Sequence, residues 1–181
     1  MKILIASDIH GDSRSATLLL SAFKNEGCDK LLLLGDILYF GPRNHLTEDY
    51  NPQEVIKLLN ENRDVILAVR GNCDSEVDQM VLDFPMLADY CYLSLDGLGV
   101  FATHGHHFNT DNPPPLRKGE ILLHGHTHVP ICQRFGDDNY YLNPGSPTYP
   151  KENRPRTYMI YENRCFTVKD FDGNLILTKQ F

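Results

Sequence analysis

Five times along the chain an apolar run stops at residues able to ligate a metal or carry a proton. The stops read Ser7-Asp8-Ile9-His10, Leu34-Gly35-Asp36, Arg70-Gly71-Asn72-Cys73-Asp74, Thr103-His104-Gly105-His106 and His124-Gly125-His126-Thr127-His128. Six of the eight histidines fall between His104 and His128. Carboxylate oxygen and neutral imidazole nitrogen suit Zn, Mn and Fe, and an Asn oxygen adds a neutral ligand. On an extended chain Asp8 and His10 share one side, as do His126 and His128. Glycines beside these residues permit tight turns and close backbone approach. Asp8, His10, Asp36, Asn72, His104, His126 and His128 are too many ligands for one tetrahedral ion. They suit two ions sharing a carboxylate, for which Asp36 is the natural bridge. Two divalent ions with two aspartates and a bridging hydroxide leave a formal charge of about +1, which draws an anion. Bound metals bring the pKa of water from about 15.7 to around 7. Two ions about 4 Å apart can clamp the attacking oxygen and a phosphoryl oxygen. Hydrolysis of a phosphate ester is the chemistry such a site serves best.

The elements that must position these groups alternate in the first half of the chain. Lys2–Ser7, Lys30–Leu34 and Asp64–Val69 read as buried strands. A helix is expected over Ser13–Asn25, where Ala16, Leu19, Leu20 and Phe23 recur at helical spacing before Gly27. Another starts at Asn51-Pro52-Gln53-Glu54, with Asn51 as N-cap and Glu54 completing a capping box. Such units imply parallel pairing with right-handed crossovers. In α/β sheets ligands sit beyond the carboxyl ends of the strands, so the five stops should converge. After a short helix over Ser75–Leu82 the chain turns strand-rich: Tyr90–Leu95, Val100–Thr103, Glu120–Leu123, Ile131–Phe135, Tyr140–Leu142, Arg156–Tyr161, Cys165–Asp170 and Leu175–Lys179. Asp96-Gly97 and Asp172-Gly173 mark hairpin turns. A parallel half and a largely antiparallel half suggest two packed sheets with helices outside. The 181 residues, without repeat or linker, are expected to form one domain.

Composition narrows the function. Seventeen Lys and Arg against 24 Asp and Glu give a net charge of −7, which disfavours broad, salt-driven nucleic-acid binding. Five cysteines without CxxC spacing point to a reducing compartment. The apolar run at the N-terminus is too short for a signal peptide or membrane span. A cytoplasmic location is expected, with no membrane partner.

In this order the blocks resemble the calcineurin-like metallophosphoesterase superfamily, with its D-x-H, G-D, G-N-x-D, G-H and G-H-x-H pattern. The match runs from Asp8 to His128. Chain length, the Asp36–Pro42 stretch, the Gly71–Ser75 block and Asn143-Pro144-Gly145-Ser146 are similar to the small YfcE-type phosphodiesterases. The resemblance implies an α/β fold of mixed α+β character, a metallo-dependent phosphatase-like, four-layer α-β-β-α sandwich of two mixed sheets. It also implies a metal-dependent phosphodiesterase working through a dinuclear centre and a metal-bound hydroxide. One ion would be held by Asp8, His10, Asp36 and His128, the other by Asp36, Asn72, His104 and His126, with Asn72 also touching phosphate. Mn²⁺ is the leading metal, and Zn²⁺, Fe²⁺ and Ni²⁺ also suit these ligands. The resemblance further implies a homo-oligomer, dimer or tetramer, acting on a small phosphodiester. Cys73 stands where the wider superfamily has a His thought to help protonate the leaving group. Catalytic and substrate-binding roles are therefore expected for Asn72 and Cys73, with good leaving groups favoured.

Competing readings are a phosphomonoesterase and a silent scaffold such as the retromer subunit of this superfamily. All seven ligand positions are intact, which argues against the scaffold. No cap domain or extra basic pocket is legible to grip a monoester. Asp74 is expected to orient a His or cap the following helix. His106, His107 and His124 read as exposed, supporting or packing residues. Arg43 and Arg70 could meet a phosphate, with a surface ion pair the favoured reading for each, and Asn143–Ser146 is either a plain turn or one that buttresses a His.

Overall fold

A computed structural model describes residues 1–181. Its elements in chain order are β1 (Ile3–Ala6), α1 (Ser13–Asn25), β2 (Lys30–Leu33), α2 (Pro52–Asn60), β3 (Ile66–Ala68), α3 (Glu76–Gln79), β4 (Tyr90–Leu95), β5 (Leu98–Thr103), β6 (Ile121–His124), β7 (Pro130–Phe135), β8 (Asn139–Pro144), β9 (Thr157–Glu162), β10 (Cys165–Asp170) and β11 (Leu175–Gln180). They build a six-stranded sheet, β11-β10-β9-β1-β2-β3, and a five-stranded sheet, β4-β5-β6-β8-β7.

β1 is apolar on both faces and becomes a central strand. Leu4 and Ala6 join Leu31, Leu33, Leu19, Leu20, Val55 and Leu59 under the helices α1 and α2. Ile3 and Ile5 face the other way with Leu32 and Leu34, against Val100, Ala102, Ile121, Leu123 and Leu142 of the five-stranded sheet. The period-two alternation of β1 and β2 thus divides their side chains between a helix–sheet core and a sheet–sheet core. The outer face of the five-stranded sheet is covered at Phe101 by Phe108 of the loop after β5, with ring centroids 5.4 Å apart. No helix of the chain is long and apolar enough to cross a membrane.

Both sheets are mixed, as expected, but they do not divide the chain into halves. β1 and β2 pair in parallel, as do β2 and β3. The closing strands β9, β10 and β11 join this sheet, with β9 antiparallel to β1. In the second sheet only β4–β5 and β7–β8 are antiparallel, while β5–β6 and β6–β8 are parallel. Hence β5, β6 and β8 run the same way, and the stops after β5 and β6 lie at one edge.

Local chemistry sets the helix starts. Asp12 caps α1, its carboxylate accepting from Ser15 N at 2.7 Å. Asn51 caps α2 as expected, accepting from Glu54 N at 3.2 Å. The capping box does not form. The Asn51 N–H instead donates to Gly11 O at 2.9 Å, and Glu54 lies 3.5 Å from Lys57 Nζ. Arg63–Val65 is a single 3-10 turn, so the third strand starts later than the apolar pattern suggests.

Candidate metal centre

All seven candidate ligands converge where the strands of both sheets end. His104 Nε2 lies 3.0 Å from Asn72 Oδ1, 3.1 Å from His126 Nδ1 and 3.5 Å from Asp36 Oδ2. Asp8 Oδ1 lies 3.2 Å from His128 Nε2 and 3.6 Å from His10 Nε2. The two groups meet at Asp36. Its Oδ2 is 3.7 Å from His10 Nε2, while Oδ1 accepts from Cys73 N at 2.8 Å. Asp8 and His104 are fully buried.

The histidines are held by their other nitrogens. Nδ1–H donates to Tyr39 O from His10 at 2.8 Å, to Leu34 O from His104 at 2.7 Å, and to Tyr149 O from His128 at 2.7 Å. A carbonyl can only accept, so Nδ1 carries a hydrogen and Nε2 is the nitrogen turned to the centre, where its lone pair can serve a metal once any proton on it has left. This backbone anchoring of imidazoles is the support metal-ligating histidines usually have. Two buried atoms at the centre, Asp8 Oδ1 and His10 Nε2, have no hydrogen-bond partner. Buried polar groups are rarely left so, and a cation between them satisfies both. The residues therefore fit divalent metal.

Strain marks the same positions. Asp8, His10, Asp36, His126 and His128 all have left-handed backbone, with φ between 52° and 64°. Such conformations in non-glycine residues cluster at functional sites. Gly71 and Gly125 allow the close approach. A Cβ on Gly71 would strike Asp36, and one on Gly125 would strike Ser7 and lie 2.7 Å from Asp8 Oδ2.

Electrostatics follow from burial of unlike charges. Burial alone would raise the pKa of Asp8, but the imidazoles of His104, His10 and His128 hold it well below the usual carboxylate range. Burial likewise works against Asp36, and contact with His104 outweighs it to lower its pKa. Burial opposes charge on His104, yet Asp8 and Asp36 hold its pKa up at about 9. Burial pushes the Cys73 thiol up, and Asp36 beside it carries it to about 12.

The sequence and the fold point to one family. A profile of the calcineurin-like phosphoesterase superfamily domain matches residues 1–164.

The chain belongs to the calcineurin-like phosphoesterase superfamily.

It is 43% identical over 179 residues to the phosphodiesterase YfcE of Escherichia coli strain K12, covering 99% of this chain and 97% of that protein. Phosphodiesterase MJ0936 of Methanocaldococcus jannaschii is 26% identical over 153 residues, covering 80% of this chain and 83% of that one. The solved structure of the E. coli phosphoesterase YfcE superposes with a TM-score of 0.95 at 41% identity, over 99% of this chain and 98% of that one. Members of this superfamily work with divalent metal, in keeping with the donor set found here.

Several supporting residues differ from expectation. Asp74 neither orients a His nor caps α3, whose cap is Ser75. Its buried carboxylate accepts from Asp36 N at 2.8 Å, Ile37 N at 2.9 Å and Gly71 N at 2.7 Å, stapling two ligand loops together. Arg70 does form the expected ion pair, with Glu76 at 3.6 Å. Arg43 has no carboxylate partner and lines the cavity over the centre, as does Lys151, which no motif in the sequence marks. His124 is buried and stacks on Tyr141 with centroids 4.2 Å apart. The Asn143–Ser146 turn buttresses loops rather than one His. Asn143 Nδ2 donates to Gly125 O at 2.8 Å, and Ser146 Oγ to Asp8 O at 3.0 Å.

Proposed function

We propose that this phosphoesterase is a divalent-metal-dependent phosphodiesterase, its residues working as one domain. The observation that carries this is the pair of unpartnered buried atoms, Asp8 Oδ1 and His10 Nε2, at the focus of anchored imidazoles. Asp8, His10, Asp36 and His128 would hold one ion, and Asp36, Asn72, His104 and His126 the other. Such ions supply a hydroxide nucleophile at neutral pH and offset charge on the phosphoryl oxygens. The diester preference is drawn from the names of the E. coli and M. jannaschii relatives, and from good coverage of the former. Mn²⁺ is the first metal to test. The five cysteines stand as free thiols, which supports a reducing, cytoplasmic setting.

The chain's own residues divide the remaining work. Asn72 Oδ1 is turned to His104, and its amide nitrogen lies 3.2 Å from Cys73 Sγ at the cavity wall, placed to meet a phosphoryl oxygen. In the metal-free protein burial and the neighbouring Asp36 hold Cys73 as a neutral thiol. It can offer a weak hydrogen bond but is a poor proton source for a departing alkoxide. Leaving groups of low pKa should therefore react best. The test is hydrolysis of bis-p-nitrophenyl phosphate by chelator-stripped protein, with and without Mn²⁺, beside Asp36→Asn. Metal-dependent turnover lost in the variant is expected. A folded, metal-loaded protein inert to the diester would overturn the reading.

A further inference from the structure

Arg43 and Lys151 stand at the mouth of the cavity over the metal centre, and no carboxylate answers either. The cavity encloses about 220 Å³, and its one carboxylate is Asp36, among the buried ligands at the floor. Lys57 pairs with Glu54, Arg63 with Asp83 and Lys118 with Asp138, while Arg14, Lys24, Arg117 and Arg154 are exposed without a pair; Arg43 and Lys151 differ from these in lining one cavity over the candidate ligands. Both mouth residues are exposed, and neither side chain has an ion pair or hydrogen bond within the protein. In a chain with a net charge of −7, these two cations line the same opening.

Their placement is fixed from two directions. Arg43 sits in a turn in which Asn44 Nδ2 donates to Phe40 O at 2.6 Å. A Cβ on Gly41 of that turn would lie 3.3 Å from Cys73 Sγ and 3.9 Å from His10 Cε1, so the turn rests on the site. Lys151 N donates to His128 O at 3.3 Å. Tyr149 OH donates to His45 O at 2.6 Å and ties the two segments together. The scissile phosphorus must reach the floor, where the candidate ligands are. The mouth can touch only what projects from it. A diester phosphate carries one negative charge, which the centre itself would match, leaving Arg43 and Lys151 for another anion.

We infer that Arg43 and Lys151 bind a second phosphoryl group on the substrate, so that the substrate class is a phosphodiester bearing a further phosphate beside the scissile one. This rests on the phosphodiesterase reading above. Each charge-assisted contact to phosphate is worth roughly tenfold in affinity.

The test uses the Mn²⁺-loaded full chain and two chromogenic substrates, thymidine 5′-(p-nitrophenyl phosphate) with and without a 3′-phosphate. The 3′-phosphate should raise kcat/KM at least about tenfold, and Arg43→Gln or Lys151→Gln should remove most of that advantage. Calorimetric binding of thymidine 3′,5′-bisphosphate against the 5′-monophosphate should show the same preference and the same loss. Equal rates and affinities for each pair in the wild type would overturn the proposal. So would variants that keep the advantage, or that depress p-nitrophenyl phosphate monoester turnover as strongly, since the pair would then grip the scissile group itself. If no diester is hydrolysed the phosphodiesterase reading fails, and the binding preference still decides the role of the mouth.

Discussion

Asp74 offers the sharpest test of how the centre is held, because it touches no candidate ligand side chain. Its Oδ2 accepts from Asp36 N and Gly71 N, and its Oδ1 from Ile37 N. Asp74→Asn keeps shape but has one oxygen. With that oxygen in the Oδ2 position two bonds survive, and the new NH₂ opposes the Ile37 N–H. Losing a bond to a charged acceptor costs about 1.5–3 kcal/mol, and the two survivors weaken to neutral strength. Against this, burial pushes the Asp74 pKa up, so removing the charge recovers part of the cost. The net loss should be about 3 kcal/mol, or about 6–12 °C in Tm for a chain of this size. Asp74→Ala abandons all three N–H groups and should cost more, about 4–5 kcal/mol. Urea unfolding of metal-free protein measures both, and calorimetric titration with Mn²⁺ should show weaker binding in each. An Asp74→Asn protein within about 0.5 kcal/mol of wild type, with normal Mn²⁺ affinity, would refute the stapling role.

Metal-free protein should be most stable near pH 6.5. Burial pushes His106 and His124 to about 4, while unfolded chains protonate such rings below about 6.5, so stability falls as pH drops through that window. His104, held at about 9 by Asp8 and Asp36 against burial, keeps a proton the unfolded chain has lost, so stability also falls as pH rises from about 6.5 towards 9. A urea midpoint that climbs without a maximum would contradict this. Loading Mn²⁺ at pH 7.5 should release protons, visible as a buffer-dependent binding enthalpy. Across aryl diesters, log kcat/KM should fall steeply with leaving-group pKa, and Cys73→His should flatten the slope; an unchanged slope would remove the proton-donor argument. Gly125→Ala should drive a methyl into Ser7 and Asp8 and lower Mn²⁺ affinity at least about tenfold, and normal affinity would show that the loop yields.

The legible part of this protein is what depends on neighbours in sequence. β1, β2 and α1 show in apolar spacing, and each candidate ligand sits at the end of such a run. Convergence follows from strand polarity, so Asp8, Asp36 and His104 could be grouped without coordinates. What stayed hidden depends on distant partners. Asp74 finds its donors at Asp36 and Ile37, more than thirty residues away, and nothing local marks it as their acceptor. The return of β9–β11 to the sheet of β1 follows from β1 needing partners on both edges, which a strand-by-strand reading does not reveal. The parallel β5–β6 pair was masked because its connection carries prolines and histidines instead of a helix. Arg43 and Lys151, more than a hundred residues apart, line one cavity, and the Tyr149–His45 hydrogen bond ties their segments together.

The left-handed backbone at Asp8, His10, Asp36, His126 and His128 bears on how such a chain can change over generations. At roughly 1–2 kcal/mol for each such residue, these positions oppose the folded state they belong to. Selection for endurance alone would find glycine or asparagine attractive there, and would erase chemistry while improving heat tolerance. A laboratory lineage screened only for survival on heating should accumulate its first losses at the half-exposed His126, whereas one screened for turnover must gather its gains elsewhere.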